Sequence, residues 1–340
     1  MLTKERVAKF IEVMKPLKPS IAIILTHLDP DSIACARIFA EICKHLEKNV
    51  KIFYAGYLDD PQNKCVWNIF DLVNDFTPIE NIKNLNDYDT VLLDSSSPRD
   101  NRLGDIEIKP AIIIDHHPNK DKLEESEKSW YWVHTCGAAA TMVTKLYMEV
   151  GLEFKPSDDL ATLAILGLLT DADIKLLSPH MTALDYEVHL HLTKYANMAK
   201  AREVFDSILD EKYLELYTTI ISKRERRGNI MVSNLGCISR EYVGYMARLA
   251  DAFCAIKGID TVILWAVSNE TLHIKARTID GKLDLDAFIK ERFGCGGARH
   301  GKGAAQMPMG FFSPTKNSQK ELLEYLTKRI LDAIFDPSIA

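Results

Sequence analysis

Cysteine is sparse and unpatterned in this chain. The seven cysteines, Cys35, Cys43, Cys65, Cys136, Cys237, Cys254 and Cys295, are odd in number, and no two stand as CxxC. That excludes a disulfide framework and a zinc ribbon, so they read as reduced, mostly buried thiols. Long apolar runs are missing too. The longest, Leu160 to Leu169, is half the ~20 residues a membrane span requires. The opening MLTKERVAKF lacks the apolar core of a secretory signal, so the expected location is the cytoplasm, away from membranes. Positive charge is also short. There are 42 Lys and Arg against 48 Asp and Glu, a formal net charge of -6. No overall cationic field recruits nucleic acid, and phosphate chemistry would have to rely on local cations or bound metal. Internal repeats and low-complexity tracts are absent.

What is present is an ordinary globular composition, 47% apolar and 26% charged. At ~150 residues per domain, 340 residues suggest two domains. In the first third, Ile21-Leu28, Val50-Tyr57, Thr90-Leu93 and Ala111-Ile114 are short, near-continuous Ile/Val/Leu runs. Separated by segments with helical spacing such as Ile33-Leu46, they read as buried parallel strands of a doubly wound α/β domain. Ala138-Val150 reads as helix, and Ser157-Asp158-Asp159 as the start of another running to about Leu169. The stretch from Pro179 to Leu209 has few breakers and reads as one long helix carrying the chain between domains. The organisation expected is therefore 1–190, a helical linker at 191–215, and a smaller α+β domain at 216–340, with the active site in the cleft between domains. In that second domain, strands are predicted at Ile230-Ile238, Thr261-Val267 and Leu272-Thr278, the last two forming a hairpin. A helix is expected from about Arg240 to Lys257, and Gly294 to Gly303 is a glycine-rich segment.

Acids and histidines fall at the strands' carboxyl ends. IAIILT runs into His27-Leu28-Asp29-Pro30-Asp31, TVLL into Asp94-Ser95-Ser96-Ser97, and AIII into Asp115-His116-His117. The helix ending at Thr170 runs into Asp171. In an open parallel sheet these ends converge on one crevice, which would then hold five carboxylates and three imidazoles. Two unit charges ~4 Å apart repel by about 4 kcal/mol at an effective dielectric near 20, so bare anions cannot share such a place. Divalent cations are the natural remedy. Carboxylate and imidazole ligation without thiolate suits Mn²⁺, with Mg²⁺, Fe²⁺ or Zn²⁺ open, and the donors suffice for two ions. A single aspartate at a strand end is as often a turn former or helix N-cap, whereas Asp115-His116-His117 after a fully apolar strand is harder to explain without a ligand.

His27-Leu28-Asp29-Pro30-Asp31-Ser32-Ile33, Asp94-Ser95-Ser96, Asp115-His116-His117 and Gly167-Leu168-Leu169-Thr170-Asp171 resemble, in order, the four motifs of the DHH phosphoesterase superfamily. Arg277 and the segment from Gly296-Gly297 to Ala304-Ala305 resemble its associated C-terminal domain. Nanorna-degrading and pAp-hydrolysing phosphatases and exopolyphosphatase-related proteins share the length and domain content. The resemblance implies that His27 and Asp29 bind one Mn²⁺, that Asp31, His116 and Asp171 bind another, and that Asp94 bridges them. A water held between the ions would be the nucleophile. His117 would bind the phosphate or protonate the leaving group, and Asp115 would orient an imidazole. Gly296, Gly297, Arg277, Arg299, His300 and Lys302 would bind the far end of the substrate, with backbone N–H groups and cations facing an anion.

The activity so implied is two-metal hydrolysis of short oligonucleotides (nanoRNase) or pAp-like nucleotides. Partners would be short single-stranded RNA or DNA or a small nucleotide, and a homodimer is left open. The alternatives are a pyrophosphatase or exopolyphosphatase, a cyclic or linear dinucleotide phosphodiesterase, and a nucleotide-binding sensor without turnover. Weaker candidates read as structural. Ser222-Lys223-Arg224-Glu225-Arg226-Arg227 reads as a solvated inter-domain segment, Trp130-Tyr131-Trp132 as packing beside the sheet, and His189 and His191 as too badly spaced to share a metal.

Overall fold

The computed structural model describes residues 2–336 apart from 59, 118–122, 156–157, 173–175, 177–179, 207–209, 280, 300 and 313–317. The chain divides into two compact units, residues 1–58 with 62–208, and residues 59–61 with 209–340.

In chain order the first unit comprises α1 (Lys4–Met14), β1 (Ser20–Leu25), α2 (Pro30–His45), β2 (Asn49–Tyr54), α3 (Pro61–Ile69), β3 (Phe76–Pro78), β4 (Asp89–Leu93), β5 (Ile112–Asp115) and β6 (Trp130–Val133). Then follow α4 (Ala139–Glu149), α5 (Asp159–Ala172), α6 (Ala183–Leu192) and α7 (Met198–Asp206). Its six strands pair in the order β3-β2-β1-β4-β5-β6, all parallel. Successive residues of the central strands point to opposite faces. Ile21, Ile23, Leu25, Val91, Leu93, Ile112 and Ile114 enter one apolar cluster, while Ala22, Ile24, Leu92 and Ile113 enter another across the sheet. Burial on both faces is why these strands read as continuous apolar runs rather than alternating ones.

The strand order reverses between β1 and β4. At such a switch point the loops leaving the two strands diverge, and a crevice opens at their carboxyl ends. The segment Asp29-Pro30-Asp31 follows β1, and Asp94 follows β4.

The second unit comprises α8 (Glu211–Lys223), β7 (Glu225–Arg227), β8 (Ile230–Cys237), α9 (Tyr245–Cys254), β9 (Thr261–Ser268), β10 (Thr271–Thr278), α10 (Leu285–Phe293), β11 (Gly297–Arg299), β12 (Lys302–Pro308) and α11 (Gln319–Phe335). Its sheet runs β11-β12-β10-β9-β8-β7, parallel only between β8 and β9. One face packs Val262 and Leu264 with residues of α8 and α9, and the other packs Ile263 and Trp265 with residues of α10 and α11. The β9–β10 hairpin turns through Asn269 (φ 45°) and Glu270 (φ 59°), the left-handed pair that a two-residue loop requires.

Four expectations need correction. The stretch from Pro179 to Leu209 is not one helix: α6 and α7 are separate, and Pro179 and Leu209 themselves lie outside the described residues. The break is held by hydrogen bonds. Thr162 Oγ1 accepts from Asn197 N, Tyr195 O accepts from Asp158 N, and Asn197 Oδ1 caps α7 at Lys200 N. The helix predicted over Arg240 to Lys257 is a 3-10 turn at Arg240–Tyr242 followed by the shorter α9. Trp130-Tyr131-Trp132 lies not beside the sheet but in it, as β6, paired to β5. Finally, the basic run from Ser222 is exposed, as a solvated segment should be, but it lies within the second unit rather than between domains, ending α8 and forming edge strand β7, where Arg226 donates to the Gly228 and Gly258 carbonyls.

Candidate metal centre

Helix α2 starts abruptly because Asp29 caps it. Asp29 Oδ1 accepts from Ser32 N at 2.9 Å, Ser32 Oγ returns a bond to Asp29 N at 3.1 Å, and Pro30 occupies the first helical position. The helix-cap reading of a strand-end aspartate therefore holds for Asp29. This start places Asp31 in the first turn, wholly buried, where it meets a second helix. Asp31 Oδ2 accepts from Ala139 N at 2.8 Å and Oδ1 from Ala140 N at 2.6 Å. The first N–H groups of α4, whose own N-cap Ala138 offers no side-chain acceptor, are thus satisfied by a carboxylate from α2.

Asp94, directly after β4, has φ 55°, a left-handed conformation tolerated by Asp and Asn, while its N–H continues the sheet to Ile114 O at 2.9 Å. Its Oδ1 is buried with no hydrogen-bond partner among the described residues. His116 is buried and donates from Nδ1 to the Cys136 carbonyl at 3.1 Å, so that in the neutral ring Nε2 is the lone-pair nitrogen. That nitrogen lies 3.1 Å from Asp171 Oδ2, 3.5 Å from Asp94 Oδ1 and 3.8 Å from Asp31 Oδ2.

Asp171 does not follow a helix but sits in the last turn of α5, which continues to Ala172. The helix can come this close because of Gly167, one turn earlier on the same face. A Cβ there would lie 2.9 Å from Ala34 Cβ of α2 and 2.9 Å from Ala140 Cβ of α4. The carboxyl end of α5 adds its own partial negative charge.

Without a cation, the cluster limits its negative charge by taking up protons. Burial, with the carboxylates Asp171 and Asp29 adding to it against His116 and the Ala140 N–H, pushes Asp31 up to about 8. Burial, then Asp31 and Asp29, pushes Asp94 well above the usual carboxylate range. Burial alone would depress His116, but Asp171, Asp31 and Asp94 raise it to about 11. A divalent ion would satisfy all three groups as ionised carboxylates and neutral imidazole. Among the described residues, ligand atoms lie within 4.8 Å of one another in each of two sets, Asp31/His116/Asp171 and Asp94/His116/His117. The orphaned Asp94 oxygen and this hard oxygen and nitrogen donor set fit such an ion.

Asp115 stands apart. His117 donates to its Oδ1 from both Nδ1 (2.7 Å) and N (3.1 Å). Although burial works against it, these bonds, the His117 charge and Ser96 hold its carboxyl below the usual range. The imidazole it orients is His117, and a main-chain carbonyl orients His116.

Of the remaining expected ligands, His27 has an exposed side chain, and neither His27 nor Asp29 joins either set of ligand atoms. Asp29 is close enough to raise both Asp31 and Asp94. In the second unit, Arg277 of β10 pairs in register with Lys302 of β12, which pairs in turn with Arg299 of β11. Arg277 Nε also bonds Asp251. His300 lies outside the described residues. Gly296 packs so tightly that a Cβ would fall 2.3 Å from the Ala304 carbonyl, a structural demand of its own. The Cys136 carbonyl and the Ala139 and Ala140 amides were invisible to motif reasoning because any side chain brings the same main-chain groups.

Residues 21–168 match the model of the DHH family, N-terminal domain. An uncharacterized protein of Methanocaldococcus jannaschii is 28% identical over 97% of this chain, which spans 66% of that protein's length. A probable manganese-dependent inorganic pyrophosphatase of Brevibacillus brevis is 25% identical over 62% of this chain and 68% of its own. Among solved structures, an exopolyphosphatase-related protein from Bacteroides fragilis superposes with a TM-score of 0.72 at 14% identity, covering 99% of this chain and 98% of that one. With a parallel sheet that brings Asp31, Asp94 and His116 together at its switch point and this family match, residues 21–168 form a DHH-family N-terminal domain.

Proposed function

We propose that this protein is a divalent-metal-dependent phosphoesterase that hydrolyses short oligonucleotides or pAp-like nucleotides, with Mn²⁺ as its preferred ion. The observation that carries the reading is the buried Asp94 oxygen without a hydrogen-bond partner, 3.5 Å from the lone-pair nitrogen of His116. Two ions are assigned. Asp31, His116 and Asp171 would hold one, His27 and Asp29 the other, and Asp94 would serve both. When bound, such ions acidify water and neutralise charge developing on a phosphoryl group.

The chain's own residues do the rest. The Ala139 and Ala140 amides keep both Asp31 oxygens aimed. His117, its Nδ1 committed to Asp115, keeps Nε2 to hold a proton for the leaving oxygen. In the second unit, Arg277, Arg299 and Lys302, on neighbouring strands, with His300 and the backbone at Gly296 and Gly297, are our candidates for binding phosphate.

The names of the relatives, a manganese-dependent pyrophosphatase and an exopolyphosphatase-related protein, favour a second reading in which the substrate is pyrophosphate or polyphosphate. A substrate panel at fixed Mn²⁺ separates the two. Mononucleotide release from a labelled RNA dinucleotide, or phosphate release from pAp, supports the first reading. Exclusive turnover of pyrophosphate or polyphosphate overturns it, and binding without any product would leave a nucleotide sensor.

A further inference from the structure

Asp185, in the first turn of α6, is wholly buried and belongs to none of the four motifs. Its Oδ2 accepts from Gly137 N at 2.9 Å, Thr182 N at 2.7 Å and Thr182 Oγ1 at 2.8 Å, and its Oδ1 accepts from Thr141 Oγ1 at 2.6 Å. The Thr182 bonds are an ordinary helix cap. The other two reach across to the segment 136–141, which shapes the metal centre from the other side. Within that segment Cys136 O holds His116, and the amides of Ala139 and Ala140 hold Asp31.

The segment is therefore gripped alternately. Groups at 136, 139 and 140 face the ligands, and groups at 137 and 141 face Asp185. Gly137 leaves no slack, since a Cβ there would lie 2.8 Å from Ala172 Cβ, next to the ligand Asp171, and 3.0 Å from Asp185 Oδ1. We infer that Asp185 is a positioning residue of the metal centre, setting His116 and Asp31 through the backbone of residues 136–140. This rests on the metal-centre reading above. Partners that orient ligands in this way typically change metal affinity by about 10–100-fold when removed.

The test is a Mn²⁺ titration of the full chain, read by the loss of the free-ion electron paramagnetic resonance signal, beside melting curves without metal. Asp185→Ala should weaken Mn²⁺ binding by about 10–100-fold. Asp185→Asn should retain most of the affinity, because its amide oxygen can still accept at the Oδ2 position while the Thr141 hydroxyl turns to accept from its NH2. Trp130→Phe in β6, which removes the bond from its Nε1 to Arg6 O of α1, should lower the melting temperature and leave the affinity alone. If Asp185→Ala does not fold, Thr141→Val serves in its place and should weaken binding severalfold. A folded Asp185→Ala, or failing that Thr141→Val, with wild-type Mn²⁺ affinity overturns the inference, as does an affinity loss that merely tracks melting temperature as in Trp130→Phe. Wild-type protein that binds no Mn²⁺ would instead overturn the metal-centre reading itself.

Discussion

His117 Nδ1 lies 2.7 Å from Asp115 Oδ1, so a buried carboxylate two residues back decides which nitrogen of this imidazole faces outward. The adjacent His116, with its ring centroid 4.1 Å away, is turned by a carbonyl instead. Two neighbouring histidines thus receive different chemistry from different partners. Asp115→Asn keeps an acceptor for His117 Nδ1 but removes the negative charge beside it. Steady-state kinetics should show kcat reduced by about 10–100-fold, with KM and Mn²⁺ affinity nearly unchanged. Loss of Mn²⁺ binding instead would make Asp115 part of the ligand set.

Asp94 combines a buried, unpartnered oxygen with a left-handed backbone that Asn adopts as readily. Asp94→Asn should therefore act in opposite directions on stability and activity. Without metal, melting should rise, since burial forces this carboxyl to take up a proton that the unfolded chain does not bind at neutral pH, and Asn needs none. Mn²⁺-dependent turnover should fall by roughly 10²-fold or more. Wild-type turnover in this variant would remove Asp94 from the centre.

Gly167→Ala inserts a methyl where Ala34 and Ala140 already stand 2.9 Å from its position. Overpacking of this kind costs about 1–3 kcal/mol. Because Asp171 lies one turn further along the same face, Mn²⁺ affinity should weaken together with chemical stability, read by denaturant unfolding with and without the ion. Unchanged affinity would mean that α5 adjusts without moving Asp171.

Glu125 ties α1 to β6. It accepts from Arg6 Nη1 at 2.8 Å, Lys9 Nζ at 2.5 Å and Tyr131 N at 2.7 Å. Burial opposes ionisation, but these partners hold its carboxyl down to about 2 from an ordinary 4.5. A depressed folded-state value means that the stabilisation is complete above about pH 4.5 and lost as pH falls towards 2. Partial exposure and screening limit it to about 1 kcal/mol. Denaturant midpoints from pH 6 to 3 should fall less steeply for Glu125→Gln than for the wild type, and parallel curves would contradict this.

The doubly wound sheet was legible because its central strands are apolar on both faces, and Ile23, Leu92 and Ile113 could go nowhere else. The second sheet's hairpin was legible from its turn. The division of residues 179–209 into two helices was not, because the bonds that break it, from Asn197 to Thr162 and from Asp158 to Tyr195, join positions far apart in sequence. Edge strand β6 was missed for a similar reason: Trp and Tyr fit a strand and a packed loop equally well until a neighbour offers its ladder.

The order of residues alone determined which side chains could meet: acids and histidines that follow apolar strands must emerge at one end of a parallel sheet, since parallel strands share a direction. Only the tertiary structure decided how they meet. The carbonyl that turns His116, the amides that hold Asp31 and the closeness that Gly167 permits belong to backbone geometry, which every sequence carries and only packing aims.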